Sequence, residues 1–242
     1  MAKERGKVAI ILLTYNSVSK LGSFFDAVLK SVLSQDYPNL ELVIVDNGSV
    51  DGTPDYIERK YSNLLNCKIL RLGKNYGWSG GNNRGTVLAK DAKYILFMND
   101  DVVLERNCIR QLVDVLNRYD KLSAVQPLIR NMDGSLNCGL DLALSGFPKM
   151  LVCPCKVPLS KAFYASGAAL LTKTDVFFRV GMFDEDLFLY HDDADYSWRL
   201  RLAGYEVACV VSARAYHHGS ATLGKDSLAY WYFLMRNNIW VL

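Results

Sequence analysis

The chain has 242 residues, half of them hydrophobic and 22% charged, with a formal net charge of +3. Those proportions describe a folded soluble protein whose core is large enough to need no disulfide staples, and they exclude a disordered, collagenous or disulfide-stapled chain. A surplus of three charges with no Lys/Arg stripe leaves no footprint for nucleic acid.

In chain order, Val8 to Leu13 is a continuous apolar run closed by Thr14-Tyr15-Asn16. Leu21 to Leu33 carries apolar residues at helical spacing, and Asp36 to Asn39 is a turn. Leu40 to Val45 is a second strand, closed by Asp46-Asn47-Gly48-Ser49, and a helix follows from Thr53 or Pro54 to about Tyr61. Lys68 to Leu72 is a third strand, Gly73 to Gly81 a Gly-rich loop, Asn82 to Lys90 a helix. Tyr94 to Met98 is a fourth strand, closed by Asn99-Asp100-Asp101. Apolar runs alternating with helical patterns predict a parallel sheet, in which ligands bind beyond the carboxyl ends of the strands.

The second half is less regular. Ile109 to Tyr119 reads as helix, Ala124 to Ile129 as extended chain, and Asn131 to Gly134 as a turn. Asp141 to Lys161 has no clear period. Tyr164 to Thr172 reads as a strand with Gly167 inside it, Asp175 to Val180 as a short helix stopped by Gly181. Asp192 to Leu202 is a helix with Gly204 at its end, and Tyr205 to Val211 is a strand. The six cysteines form no CxxC pair, so a zinc knuckle is not expected and reduced thiols are. Met1 to Lys7 lacks the pattern of a secretory signal, and no run reaches the ~20 apolar residues of a membrane span. Leu228 to Leu242 is rich in Tyr and Trp, which suits a docking helix that completes the core, a segment at a membrane interface, or one that leads into a membrane region removed from this chain.

Five stretches carry candidate chemistry. Asn99-Asp100-Asp101 sets two carboxylates side by side, an arrangement that a hard divalent cation relieves and a solvated turn also explains. Asp46 to Gly52 builds a turn, and its first acid can accept hydrogen bonds from a base or ribose. Gly73 to Gly85 allows close backbone approach to an anion but is neither a Walker loop nor a GxGxxG. Asp192, Asp193 and Asp195 open a helix, where acids suit the dipole; three in four residues exceed what capping needs, so one is a candidate general base. His217 and His218 follow a strand and are candidate metal or diphosphate ligands. Arg236 in the aromatic tail either snorkels or holds a phosphate.

The order of these motifs, from Thr14-Tyr15-Asn16 through Asp46, Asn75-x-Gly77-x-x-Gly80-Gly81, Asn99-Asp100-Asp101, Ser166-Gly167-Ala168, Asp184-Glu185 and Asp192-Asp193 to His217, resembles that of the family 2 inverting glycosyltransferases of GT-A fold, especially the rhamnosyl- and mannosyltransferase-like branch. The resemblance runs from about Lys7 to Asn237. It implies an α/β fold with a central, mostly parallel sheet flanked by helices. It divides the chain into a catalytic domain over residues 1–225, with a nucleotide-binding half to about 105 and an acceptor-binding half beyond, and an aromatic segment over 226–242. It implies that Thr14, Tyr15, Asn16, Asp46, Asn75, Gly80, Gly81, Asp100 and Arg236 border the nucleotide and donor sugar. Asp101 and His217, with His218 as rival, would hold Mn²⁺ or Mg²⁺. Asp193 would be the base, kept ionised by the helix N-terminus, and Asp192, where the family has Glu, would contact the acceptor. The implied partners are a nucleotide-sugar donor (GDP-mannose, dTDP-rhamnose or a UDP-hexose), a glycan or lipid-linked acceptor and a membrane surface, and the implied location is the cytoplasmic face of the membrane. A nucleotidyltransferase on a similar sheet is the rival enzyme, and the absence of a basic activating loop near the first strand counts against it; a sugar-nucleotide-binding module is the non-catalytic rival.

Overall fold

The computed structural model describes residues 6–63, 66–142, 148–151, 158–219 and 227–241. The first apolar run forms β1 (Val8–Thr14), buried along its whole length. Ile10 and Leu12 enter one core and Ile11 and Leu13 another, on opposite faces of the sheet. This two-faced burial is why the run is continuous rather than alternating. β2 (Leu40–Asp46), β3 (Cys67–Arg71) and β4 (Tyr94–Asn99) complete a parallel block in the spatial order β3-β2-β1-β4.

Beyond β4 the sheet continues through β11 (Ala169–Lys173), β6 (Leu122–Asn131), β12 (Glu206–His217) and β10 (Leu159–Ala162). β11 runs antiparallel to both β4 and β6, so β6, and with it β12, points the same way as the first block. The result is a mixed sheet of mostly parallel strands. β5 (Val102–Leu104) and β7 (Leu136–Asn137) attach antiparallel to β12 and β6, and β8 (Leu140–Leu142) pairs with β9 (Pro148–Met150) in a separate ribbon. Helices α2 (Ser23–Leu33) and α5 (Cys108–Arg118) feed one core through Phe25, Leu29, Ile109 and Leu112. On the other face α6 (Thr174–Arg179) and α7 (Asp192–Leu202) bring Phe177, Tyr196 and Leu200 against Phe97 and Phe183.

Several elements differ from the expectation. The single helix predicted from Leu21 is two, α1 (Ser17–Leu21) and α2, because Gly22 turns the chain with φ 52°. α3 (Thr53–Tyr61) lies where predicted. The Gly-rich stretch is not a loop to Gly81: α4 (Gly77–Thr86) begins inside it, and a 3₁₀ turn, Val87–Ala89, follows. Gly and Asn are poor helix formers, but here packing decides. A methyl group at Gly81 would stand 2.5 Å from Leu13 Cδ1, and one at Gly85 2.7 Å from Ile11 Cγ2. Only a helix without side chains on that face can lie so close to β1. Gly167 lies before β11 rather than inside a strand, and β12 extends to His217, well past Val211. The C-terminal segment is helix α8 (Leu228–Val241).

Candidate active site

The parallel strands β1, β4 and β12 end at one edge of the sheet, which therefore collects Thr14, Asp100-Asp101 and His217. Because β11 is reversed, the loop that enters it, Ser166-Gly167-Ala168, reaches the same edge. A cavity of about 440 Å³ opens there, a size suited to a small ligand. Its wall includes Thr14, Tyr15, Asn75, Asp100, Asp101, Asp192, Asp193 and His217, all expected site residues.

Asp101 is buried, and its Oδ1 lies 3.2 Å from His217 Nε2. The pairing of β5 with β12, which places Val102 opposite His217, makes this contact. The sequence patterns did not reveal β5, which is only three residues long. His218 is turned away: its ring packs 4.9 Å from that of Phe24, and only its backbone N–H reaches Asp101, donating to the carbonyl at 2.9 Å. His217 is thus the histidine of the cavity. Asp101 Oδ1 is buried without a hydrogen bond, so a carboxylate oxygen and an imidazole nitrogen face each other at 3.2 Å. That donor pair fits a divalent cation that takes its remaining ligands from water and a substrate diphosphate. Among the described residues no group of three or more His, Cys, Asp or Glu side chains is arranged to hold a metal by itself. Asp100 accepts a hydrogen bond from Ser17 Oγ, and burial, then the charge of Asp101, pushes its pKa up to about 7.

Asp192 and Asp193 begin α7 on the opposite wall. Asp193 accepts backbone N–H bonds from Gly167 and Ala194, each at 2.8 Å. Ser79 Oγ, at the start of α4, donates to Asp192 at 3.2 Å. The expected lowering of the Asp193 pKa is overturned: burial raises it despite those two donors, and Asp192 is raised by burial and by the adjacent Asp193 charge. Desolvation of a carboxylate outweighs a helix terminus when the group leaves water.

Five expected nucleotide contacts are absent from the wall. Asn16 has φ 54° and ties β1 to the loop after β2: its N–H donates to Ser49 Oγ and its Oδ1 accepts from Val50 N–H, both at 2.8 Å. Asp46 is buried and accepts from Ser49 N–H at 3.1 Å, while its Oδ1 has no hydrogen-bond partner among the described residues. Gly80 and Gly81 are helical and pack against Arg84 and Leu13. Arg236 Nη2 donates to the carbonyls of Asp186 and Leu187, and its guanidinium lies 4.7 Å from the Trp240 ring centre.

Other wall residues gave no separate signal. Asn47 cross-links the Gly-rich segment, donating to Asn75 Oδ1 and the Gly77 carbonyl at 3.0 Å each. Trp78 donates from its indole to Asn99 Oδ1 at 2.8 Å. Lys20 lies over the Tyr15 ring, 4.6 Å from its centre, and burial lowers its pKa. His191, buried and with its pKa lowered by burial, immediately precedes the acids; its position beside Asp192 was the one available clue. Tyr230 and Leu234 bring α8 to the cavity. The aromatic segment therefore docks through one face, with Phe233 stacked on Phe188 at 5.1 Å and Tyr230 edge-on to Tyr190 at 5.3 Å.

The mostly parallel sheet, with acids after β4 and at the start of α7 lining one cavity, has the GT-A-like architecture that the sequence resemblance implies. Residues 9–178 match the family described as glycosyl transferase family 2, and the chain belongs to that family. Among curated relatives, N-acetylglucosaminyl-diphospho-decaprenol L-rhamnosyltransferase of Mycobacterium tuberculosis is 28% identical over 90% of this chain and 78% of its own length. Two solved structures share the fold. GalNAc-T7 with UDP, GalNAc and Mn²⁺ superposes with a TM-score of 0.81 at 17% identity, over 99% of this chain and 48% of that one. The mannosyltransferase PcManGT from Pyrobaculum calidifontis with GDP-Man and Mn²⁺ gives 0.70 at 19%, over 94% and 60%.

Proposed function

We propose that this glycosyltransferase moves a hexose from a nucleotide-diphosphate sugar to a hydroxyl of a lipid-linked or glycan acceptor, with inversion and with a divalent metal. The observation that carries the reading is the division of the cavity: the Asp100–Asp101–His217 cluster on one wall and the Asp192–Asp193 pair on another. Displacement at an anomeric carbon needs both, charge stabilisation for the departing diphosphate and a base for the incoming hydroxyl. Asp101 and His217 would hold the metal, Mn²⁺ or Mg²⁺, which when bound neutralises charge building on the diphosphate. Thr14, Tyr15 and Asn75 line the nucleotide end, and the orphaned Asp46 oxygen behind them supports a role in holding the base. Asp193 takes the hydroxyl proton as the new bond forms, and a single displacement inverts the anomeric centre. The mycobacterial relative, by name an L-rhamnosyltransferase acting on N-acetylglucosaminyl-diphospho-decaprenol, supports rhamnose as the sugar moved, which selects dTDP-rhamnose among the three donors, and a polyprenyl-diphosphate-linked sugar as acceptor. Screening dTDP-rhamnose, GDP-mannose and UDP-hexoses with Mn²⁺ by thermal shift and product analysis tests this; no shift and no transfer with any of them would overturn it.

We further propose that the enzyme works at the cytoplasmic face of a membrane, resting on the outer stripe of α8. Leu228, Trp231, Tyr232, Met235 and Ile239 fall on one side of the helix and are all exposed, Leu228 by 91% and Ile239 by 73%. Among the described residues no helix is long and apolar enough to cross a bilayer, so contact would be lateral, with Trp and Tyr at headgroup depth. The chain is expected to co-sediment with liposomes, and Trp231→Ser with Ile239→Ser to weaken that binding by about tenfold or more. Undiminished sedimentation of the double variant would count against the stripe.

A further inference from the structure

The loop that joins the 3₁₀ turn Glu185–Leu187 to α7 carries the two acids into the cavity. Phe188, Tyr190 and His191 have φ of 64°, 68° and 66°, and none is glycine. L-residues do not hold that conformation by local preference, so neighbours must impose it. The carbonyls show how. Trp78 N–H donates to the Phe188 carbonyl at 2.6 Å from the α4 side. Every other carbonyl from Asp186 to Tyr190 is taken by α8. Arg236 Nη2 serves Asp186 and Leu187, and the Asn237 amide nitrogen lies 2.8 Å from each of the Leu187, Leu189 and Tyr190 carbonyls, its two hydrogens shared among them. Asn238 Oδ1 lies 3.3 Å from His191 Nε2. Asn237 is fully buried. The inward face of α8 thus sets two buried amides, Asn237 and Asn238, beside the aromatic contacts of Tyr230 and Phe233.

We propose that Asn237 is a positioning residue for sugar transfer: its amide holds the left-handed loop in the shape that presents Asp192 and Asp193 to the cavity. The inference rests on the reading of Asp193 as the base. Its physical basis is the backbone connection, since the His191 carbonyl accepts from Asp195 N–H at 2.8 Å and so closes the first turn of α7. A loop that relaxes toward right-handed φ moves that turn, and with it both carboxylates. A displacement of about 1 Å at a reacting group costs about 10²-fold in rate. The metal-side residues sit in the turn between β4 and β5 and at the end of β12 and would stay in place.

The test is kinetic, on the full chain, with the donor that transfers in the screen above, dTDP-rhamnose in our reading. Asn237→Leu keeps volume and removes the donors. Its kcat is expected to fall by about 10²-fold, with the donor KM and nucleotide affinity within about threefold of the parent. Leu112→Ala, in the core under α5, serves as the stability control. A folded Asn237→Leu with kcat within twofold of the parent overturns the proposal, as does a fall in rate that Leu112→Ala reproduces at the same melting temperature. If Asn237→Leu does not fold, Asn237→Ser and Asn237→Ala are compared: the serine hydroxyl restores one donor and is expected to recover kcat several-fold over alanine, and equal rates overturn the role. Asp193→Asn, assayed in parallel, separates the two readings. Full transfer in that variant beside a slow Asn237→Leu removes Asp193 as base and leaves the loop-holding role standing.

Discussion

Asp193→Asn is expected to lower sugar transfer by about 10²-fold or more, the scale of general-base loss, while nucleotide binding is kept. The amide has nearly the size and shape of the carboxylate, and an oxygen remains to accept from Gly167 or Ala194 N–H. What is lost is the proton acceptor. The pH dependence follows from burial. Because the Asp193 pKa is raised, its base form disappears as pH falls through that raised value. The rate of the parent should therefore drop on the acid side at a higher pH than an exposed carboxylate would give. Asp192 is next to it and also raised, so the two titrate as a pair and the acid limb reports on both. Asp192→Asn should be milder if that residue only orients the acceptor; equal loss in both would assign the base function to the pair. Unchanged transfer in Asp193→Asn would reject the mechanism.

Asp101→Ala is expected to abolish the thermal stabilisation by Mn²⁺ and nucleotide together. One of its oxygens is buried beside His217 without a hydrogen bond, and a buried unsatisfied acceptor costs about 1–3 kcal/mol. Removing it should leave the metal-free protein at least as stable as the parent, so loss of ligand response will not be a folding defect. The combination, an equal or higher melting temperature without ligand and no shift with ligand, is what the site predicts. A variant that binds Mn²⁺ and nucleotide as the parent does would move the metal away from Asp101. His217→Ala, removing the partner on β12, should weaken the shift less, because carboxylate rather than imidazole supplies the charge.

Strands β1, β2 and β4 were legible because each buries both faces, which leaves apolar runs such as Val8 to Leu13. The acids at their ends were legible because strand ends in such a sheet meet at one edge. The helix at Gly77 was hidden, since its residues favour loops and only Leu13 and Ile11, distant in sequence, require its bare face. Strands β5 and β7 to β10 were hidden by brevity, two to four residues being too few for a period. Asn16 and Asp46 lie on the loops after β1 and β2, and the bonds of their side chains to Val50 and Ser49 N–H are a direction that sequence does not encode. In α8 the aromatic residues drew notice, whereas Asn237 matters for its direction inward among carbonyls of a distant loop.

The reversed strand β11 has an evolutionary consequence. β6 leaves the sheet at Asn131 and β11 re-enters it at Ala169, beside the strand just left and at the same edge. The segment between is an excursion with fixed, neighbouring ends, whose described residues rejoin the sheet only in β7 and in the edge strand β10. Lengthening it costs only loop closure, about 0.6 kcal/mol for each doubling, and shifts no strand in the parallel block. That excursion supplies Asn137, Leu140, Tyr164 and Ser166 to the cavity. The architecture therefore works as a cassette: exchange of residues 132–168 between relatives would reshape that part of the cavity wall while the parallel block stays untouched.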